Sequence, residues 1–164
     1  VNHMMNPNHV KITSVIVILI LIGFLPERGN ANSSQILSRG QTVYVPVYSH
    51  IYHGNKERKF DLTATLSIRN TNLEKDITLH SIDYYDSQGE LLKKHLDAPI
   101  QLKKMSTIRY VIKARDNRGG SGAKFIVKWN SKTLSNAPII EAIMISTQSQ
   151  QGISFVSRGQ AIHE

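Results

Sequence analysis

The sequence predicts an all-β fold, a β-sandwich of about eight strands, preceded by an N-terminal hydrophobic signal helix. Three observations support this prediction. Hydrophobic and polar residues alternate with a period of two in segments from Thr42 to Ser157, turn residues separate these segments, and an apolar run stands near the start of the chain. A content of 40% hydrophobic and 20% charged residues is typical of a chain that folds around a core.

The apolar run from Ile12 to Leu25 has the features of an export signal. It is shorter than the about 20 apolar residues that a transmembrane helix needs. Small residues from Gly29 to Ala31 precede a cleavage position before Asn32. We interpret residues 1–31 as a signal peptide, with an uncleaved membrane anchor as the alternative. Both interpretations predict a periplasmic or secreted domain, which an uncleaved signal would tether to the inner membrane.

The polar residues 32–40 are interpreted as a linker, and residues 41–164 as one β-sandwich domain. Thr42 to Tyr48 alternate as a strand, in which Pro46 predicts a sheet edge or a bulge. Phe60 to Asn70 alternate more clearly. We expect one side of this second strand to be core, and the other to face water; the predicted core side chains are Leu62, Ala64, Leu66 and Ile68.

The alternation changes phase within Ile77 to Asp86, which predicts a bulge near His80 or Ser81. After a turn, Leu91 to Leu96 are expected to return as the hairpin partner, and Ala98 to Lys104 to cross to another edge. The remaining strands are predicted around Ile108–Ile112, Phe125–Trp129, Ile139–Thr147 and Gly152–Ser157.

The charge balance and the absence of cysteine limit the chemistry of this protein. Lys and Arg number 20 against 12 Asp and Glu, so anionic partners are attracted without being identified, and no specific nucleic acid is predicted. With no cysteine, the chain can form neither disulfides nor thiolate metal sites. No cofactor is predicted.

Four segments carry a family resemblance: YVPVYSHIYHG from Tyr44, YYDSQG from Tyr84, GGSGAKFIVKW from Gly119 and EAIMISTQSQQGISFVSRG from Glu141. Together they resemble the bacterial domain-of-unknown-function family DUF3124, over roughly residues 41–163. The resemblance implies no activity, substrate or catalytic residue. The strand layout also resembles immunoglobulin and fibronectin type III sandwiches, a likeness of fold that selects no function.

His50 and His53, at the end of the first strand, are candidate ligands for copper, nickel or zinc, with Asp61 as a third ligand. The alternative is a pair of ordinary edge histidines. This alternative is favoured because residues three apart on an extended chain point to opposite faces.

The segment Asp116–Gly122 is the second candidate site. Its glycines, with Ser121 among them, can free backbone amides for an anion, beside Arg115, Arg118 and Lys124. The expected context of a phosphate loop, a helix N-terminus, is missing, so a mobile hairpin loop with glycines at positive φ is favoured.

The segment Gly152–Gly159 is the third candidate. We expect Ile153 and Phe155 to be buried, leaving Ser154 and Arg158 as part of a binding surface. The guanidinium of Arg158 would hold an anionic group of a partner or pair internally with Glu141.

These features favour a non-catalytic extracytoplasmic binding or scaffolding module that recognises an envelope protein or glycan through edge strands and loops. The first alternative is a small copper- or zinc-binding envelope protein that uses His50 and His53. The second is a hydrolase with an unrecognised site, for which Ser154, Ser157, His163 and Asp116 supply the residue types but no signature.

Overall fold

The computed structural model describes residues 37–147 and 152–163, so the predicted signal helix and most of the linker lie outside the described residues. Within these ranges the protein is all-β, and no segment is helical or able to cross a membrane as a helix. Twelve strands form open sheets of six, four and two strands. In chain order they are β1 Leu37–Val47, β2 His50–His53, β3 Arg58–Asp61, β4 Thr63–Arg69, β5 Ile77–Tyr85, β6 Leu91–Lys94, β7 Ile100–Leu102, β8 Thr107–Ile112, β9 Ala123–Asn136, β10 Ile139–Ser146, β11 Ile153–Arg158 and β12 Gln160–Ile162.

The six-stranded sheet has the order β12-β1-β9-β5-β6, with β7 also paired to β5. All its pairs are antiparallel. At Pro46, β1 pairs with β9 on one side and has passed the end of β12 on the other. The proline is therefore at a local edge, as predicted, which is where a strand tolerates a residue that has no N–H.

The four-stranded sheet has the order β11-β10-β4-β8 and is also antiparallel. Its three ladders run without a register shift, which aligns side chains in straight rows across all four strands. The two-stranded sheet is the β2-β3 hairpin, in which His50 pairs with Asp61.

The core is one hydrophobic cluster, to which both the six-stranded and the four-stranded sheets contribute buried side chains. The predicted core positions Leu62, Ala64, Leu66 and Ile68 have no solvent exposure. Trp129 alternates with Phe125 and Val127 on one face of β9, and all three are buried. The opposite face of β4 is less exposed to solvent than predicted, since Ser67 is buried between its register partners on β10 and β8.

The predicted bulge is confirmed, because the register of β5 against β9 shifts between Leu79 and Ser81. The β5-β6 hairpin is confirmed too. The prediction that Ala98–Lys104 crosses to another edge is wrong: Ile100–Leu102 pairs with β5, beside β6. This position buries Leu102 in the core, and the chain changes sheet only afterwards.

Two further predictions are corrected. Asp116–Gly122 is not a hairpin loop, because β8 belongs to the four-stranded sheet and β9 to the six-stranded sheet. The strands number twelve rather than about eight, partly because single residues divide longer extended segments. At Gly159 the chain passes from β11 to β12 in the other sheet, and a Cβ there would lie 2.7 Å from Val43 Cγ1 and 2.9 Å from the Ile140 carbonyl oxygen.

Candidate functional site

The side of the four-stranded sheet that points away from the core is the candidate site, and we call it the outer face. Alternation along each strand decides its members, since the residues between them are turned to the core. The outer face consists of Thr63, Thr65, Ser67, Arg69, Thr107, Arg109, Val111, Ile139, Glu141, Ile143, Ile145, Ser154, Val156 and Arg158.

One row of the outer face is mainly aliphatic. The register aligns Val156, Ile143, Thr65 and Val111 across the four strands. Val156 is 54% exposed and Val111 48%, at the two ends of this row. Ile145 extends the row on one side, next to Ser154. These residues form an aliphatic strip that is interrupted at Thr65, which separates Val111 from Ile143.

The next row is charged. Arg158, Glu141, Ser67 and Arg109 are aligned across the sheet. Glu141 forms an ion pair with Arg69, whose Nε lies 3.7 Å from Glu141 Oε1. The side chains of Arg109 and Arg158 have no hydrogen-bond or ion-pair partner among residues 37–147 and 152–163. Two exposed guanidinium groups thus stand free at opposite ends of this row.

A shallow groove of about 540 Å³ lies at the charged end of the outer face. Arg69, Glu141 and Arg158 supply its polar lining, and Ile139 contributes an exposed aliphatic side chain beside them. The groove is open to solvent and combines charged and apolar groups, which suits a contact with another surface better than enclosure of a small molecule.

The structure places the predicted residues Ser154 and Arg158 on the outer face. Ile153 and Phe155 point the other way and pack against the core, where the Phe155 ring lies 5.7 Å from that of Tyr48. Arg158 lies opposite Glu141. The two side chains do not form an ion pair, because the carboxylate of Glu141 is turned to Arg69.

Arg118 and Ser121 lie elsewhere, in the loop between β8 and β9. Arg118 donates to both carboxylate oxygens of Asp116, at 2.8 and 2.9 Å. These hydrogen bonds lower the pKa of Asp116. The guanidinium predicted to hold an external anion is therefore already paired within the loop.

The glycines of this loop are tied to neighbouring turns. Gly120, at a φ of 76° as expected for a glycine, accepts hydrogen bonds from the backbone and side chain of Ser49. The backbone N–H and the hydroxyl of Ser87 donate to the carbonyl oxygen of Gly119, and Ser87 Oγ accepts from the N–H of Gly122. A Cβ at Gly119 would lie 2.0 Å from Tyr84 Oη. These glycines serve close packing, and the N–H groups of Gly120 and Gly122 are engaged within the protein.

His50 and His53 differ in environment. His50 is buried and its Nε2 lies 3.2 Å from Tyr52 Oη, whereas His53 is exposed, with its ring against Phe60. Burial lowers the pKa of His50, and Lys59 lowers it further. Asp61 is the register partner of His50. Nowhere in the described part of the chain do three or more His, Asp or Glu side chains gather as a metal-binding group.

The residue types considered for a hydrolase are spread over separate elements. Ser154 and Ser157 lie on β11, His163 follows β12, and Asp116 is in the β8-β9 loop. The carboxylate of Asp116 is bonded to Arg118. It is therefore occupied by an arginine rather than by a histidine that it would orient.

Sequence reasoning missed the arginines and aliphatic residues that share the outer face with Arg158. Arg69, Arg109 and Val111 occupy the polar phase of their strands, so alternation alone could have marked them as exposed. What alternation cannot show is the strand order β11-β10-β4-β8, which brings residues of four strands into the same rows.

No curated protein matches the chain in sequence. Among solved structures, the crystal structure of Thermotoga maritima 1070 is similar at a TM-score of 0.43 and 9% sequence identity, covering 73% of this chain and 92% of that one. The family described as "Protein of unknown function (DUF3124)" matches residues 40–162, close to the span of the resemblance seen in the sequence. Because this match covers most of the chain, the protein belongs to the DUF3124 family.

Proposed function

We propose that the protein is an exported, non-catalytic binding or scaffolding module, which recognises a component of the cell envelope through the outer face. The single observation that carries the proposal is the composition of this face, an aliphatic strip beside free guanidinium groups. The export part is supported by the apolar run from Ile12 to Leu25, followed by small residues before Asn32.

The fold assigned in this proposal is a β-sandwich of the immunoglobulin or fibronectin type III kind. Two antiparallel sheets contribute to one core, and the chain changes between them at Gly159 and between β8 and β9. Sandwiches of this kind serve many binding functions, so the fold is compatible with the proposal but does not select the ligand.

Clustering distinguishes the outer face from ordinary surface. Exposed aliphatic residues that occur singly are normal, but a contiguous apolar patch on a soluble protein marks an interaction site. The exposed large hydrophobic side chains in the described part of the chain include Val111, Ile139, Ile145 and Val156, all on this face. Ile143 lies between them in the register, half-buried.

Capture of envelope components tests the proposal. The full-length chain with a C-terminal tag is incubated with isolated envelope and compared with the double variant Val111→Ser, Val156→Ser. We expect the variant to lose the captured component, because each substitution replaces exposed aliphatic surface with a hydroxyl. The matched control is Leu73→Ser, Leu134→Ser, which removes two exposed leucines outside this face.

The proposal fails if both double variants capture the same component as the unchanged chain. It also fails if the control loses capture and the outer-face variant keeps it. Circular dichroism of all three proteins checks that each is folded.

A further inference from the structure

We infer that the partner of the outer face is a protein segment that presents carboxylates beside aliphatic side chains, with the carboxylates bound by Arg109 and Arg158. The inference rests on the proposed function and adds the chemistry of the partner.

The distribution of cations points to carboxylates. The chain contains 8 arginines and 12 lysines. The outer face holds three of the arginines and none of the lysines. Arginine is enriched and lysine depleted at protein interfaces, because the planar guanidinium donates two parallel hydrogen bonds to a carboxylate and is less strongly hydrated than an ammonium group. General attraction to any polyanion would be served equally well by lysine.

The internal pairing leaves two of these arginines available. Glu141 is the single carboxylate of the outer face, and its ion pair is with Arg69. Arg109 and Arg158 are exposed and have no partner within the described residues. A free guanidinium with five donors stands at each end of the charged row.

The separation of the two arginines indicates an extended partner. They lie on β8 and β11, the outermost strands of the sheet, so three interstrand gaps separate their backbones. With gaps of about 4.8 Å, this distance is about 14 Å. An extended segment with two or more carboxylates matches this separation better than a single small anion does.

The adjoining aliphatic strip favours protein over other anionic partners. An acidic glycan would satisfy the arginines but leave Ile143, Val111 and Val156 in water. None of the outer-face residues is aromatic, so the face offers no stacking platform for nucleic-acid bases. A protein segment supplies carboxylates and apolar side chains together.

The charge of the outer face argues against a second copy of this chain as the partner. Each outer face carries three arginines and one glutamate. Two such faces in contact would bring six cations against two anions, and like charges across an interface are unfavourable. An acidic partner removes this imbalance.

Selection from a random twelve-residue peptide display library tests the inference, with the tagged full-length chain as the target. We expect selected peptides to be enriched in Asp or Glu together with Ile, Leu, Val or Phe. The double variant Arg109→Gln, Arg158→Gln should bind them at least about tenfold more weakly, since hydrogen bonds to charged groups are among the stronger ones. The control Arg39→Gln, Arg115→Gln removes the same charge from exposed sites elsewhere and should change the affinity less than about twofold.

Four results would overturn the inference. Selected peptides without acidic residues that lose affinity only in Val111→Ser, Val156→Ser would exclude carboxylate recognition while leaving the proposed function intact. Acidic peptides that bind all variants equally would exclude the outer face as their binding site. The absence of any enriched peptide would exclude recognition of such a protein segment. Sedimentation that shows a dimer abolished by Arg109→Gln, Arg158→Gln would identify a second copy as the occupant.

Discussion

Arg158 lies directly across from Glu141 on neighbouring strands of the four-stranded sheet, yet the carboxylate of Glu141 is paired with Arg69. The sequence left two roles open for Arg158, an internal pair with Glu141 or a contact with a partner. The observed pairing makes the second role the one to test, since the guanidinium has no established bond to lose within the described residues.

Arg158→Ala should therefore leave the stability of the domain nearly unchanged. We expect the free energy of unfolding in urea to change by less than about 0.5 kcal/mol, as for most surface substitutions. Capture of the envelope component should weaken in the same variant. Loss of stability in Arg158→Ala, with a matching loss in Glu141→Gln and capture intact at a temperature where both are folded, would assign the residue an internal role instead.

Leu66 and Thr65 test the register of β4. Leu66 is fully buried, whereas Thr65 is half-buried on the outer face. Leu66→Ala should cost about 2–5 kcal/mol of unfolding free energy, because it removes core contacts and leaves a cavity. Thr65→Ala should cost far less. Equal losses in chemical denaturation would show that the two sides of this strand are not distinguished as the structure indicates.

The core side of β4 could be predicted because alternation of leucine, alanine and isoleucine with threonine and serine is a local signal. The same holds for the bulge between Leu79 and Ser81, where the hydrophobic phase changes within a single strand. The partner of Ile100–Leu102 and the change of sheet after β8 are long-range choices. They depend on which sheet each strand joins to bury its apolar side, and the local spacing of residues does not encode that choice.

The candidate site divides in the same way. Exposure of Arg158 could be predicted from its own strand. The other arginines of the outer face, Arg69 and Arg109, are distant in sequence, and only strand order places them on the same face as Arg158. The bond of Arg118 to Asp116 was within reach of local reasoning, since a single residue separates them in one loop, but no pattern distinguishes this pairing from an external anion.

Asn70 should be the most sensitive polar residue of the fold. Its buried Nδ2 donates to the carbonyl oxygens of Lys75, Leu102 and Lys103, and its Oδ1 accepts from the backbone and side chain of Asn72. Asn70→Ala removes these bonds together and leaves buried groups unpaired, at about 1–3 kcal/mol for each such group. We expect a total loss of at least about 2 kcal/mol in urea denaturation, by the same principle.

The control is Asn55→Ala, which alters an exposed asparagine in the β2-β3 hairpin and should change stability little. A loss in Asn70→Ala no larger than in this control would mean that water replaces the asparagine side chain at no cost.

Export is tested with residues 1–34 fused to a reporter that is active only outside the cytoplasm. We expect activity, because the apolar run and the small residues after it have the pattern that the export machinery recognises. A variant with Ile18→Lys and Leu21→Lys should abolish it by interrupting the apolar run. A silent reporter beside a working control signal would exclude an extracytoplasmic location.

His95 should make stability depend on pH. Its ring lies 4.8 Å from that of Tyr110 and 5.7 Å from that of Phe125, so it packs between strands of the two sheets. Burial lowers the pKa of His95 below its usual 6.5, Lys93 lowers it further, and Asp83 opposes both. The folded state therefore favours the neutral imidazole.

Because the pKa of His95 is lowered in the folded state, the free energy of unfolding falls as the pH falls. Above pH 6.5 the imidazole is neutral in both states, and its neutral form costs the fold nothing. As the pH falls below 6.5, the unfolded chain takes up the proton first, so the free energy of unfolding falls until the folded pKa is also passed. His95→Gln should lose part of this fall in urea denaturation between about pH 7.5 and pH 5. His50, whose pKa is lowered in the same direction, contributes to the fall as well. His80→Gln changes an exposed position on β5 and should show the same fall in unfolding free energy as the unchanged protein. An equal fall in the unchanged protein, His95→Gln and His80→Gln would show that His95 does not contribute.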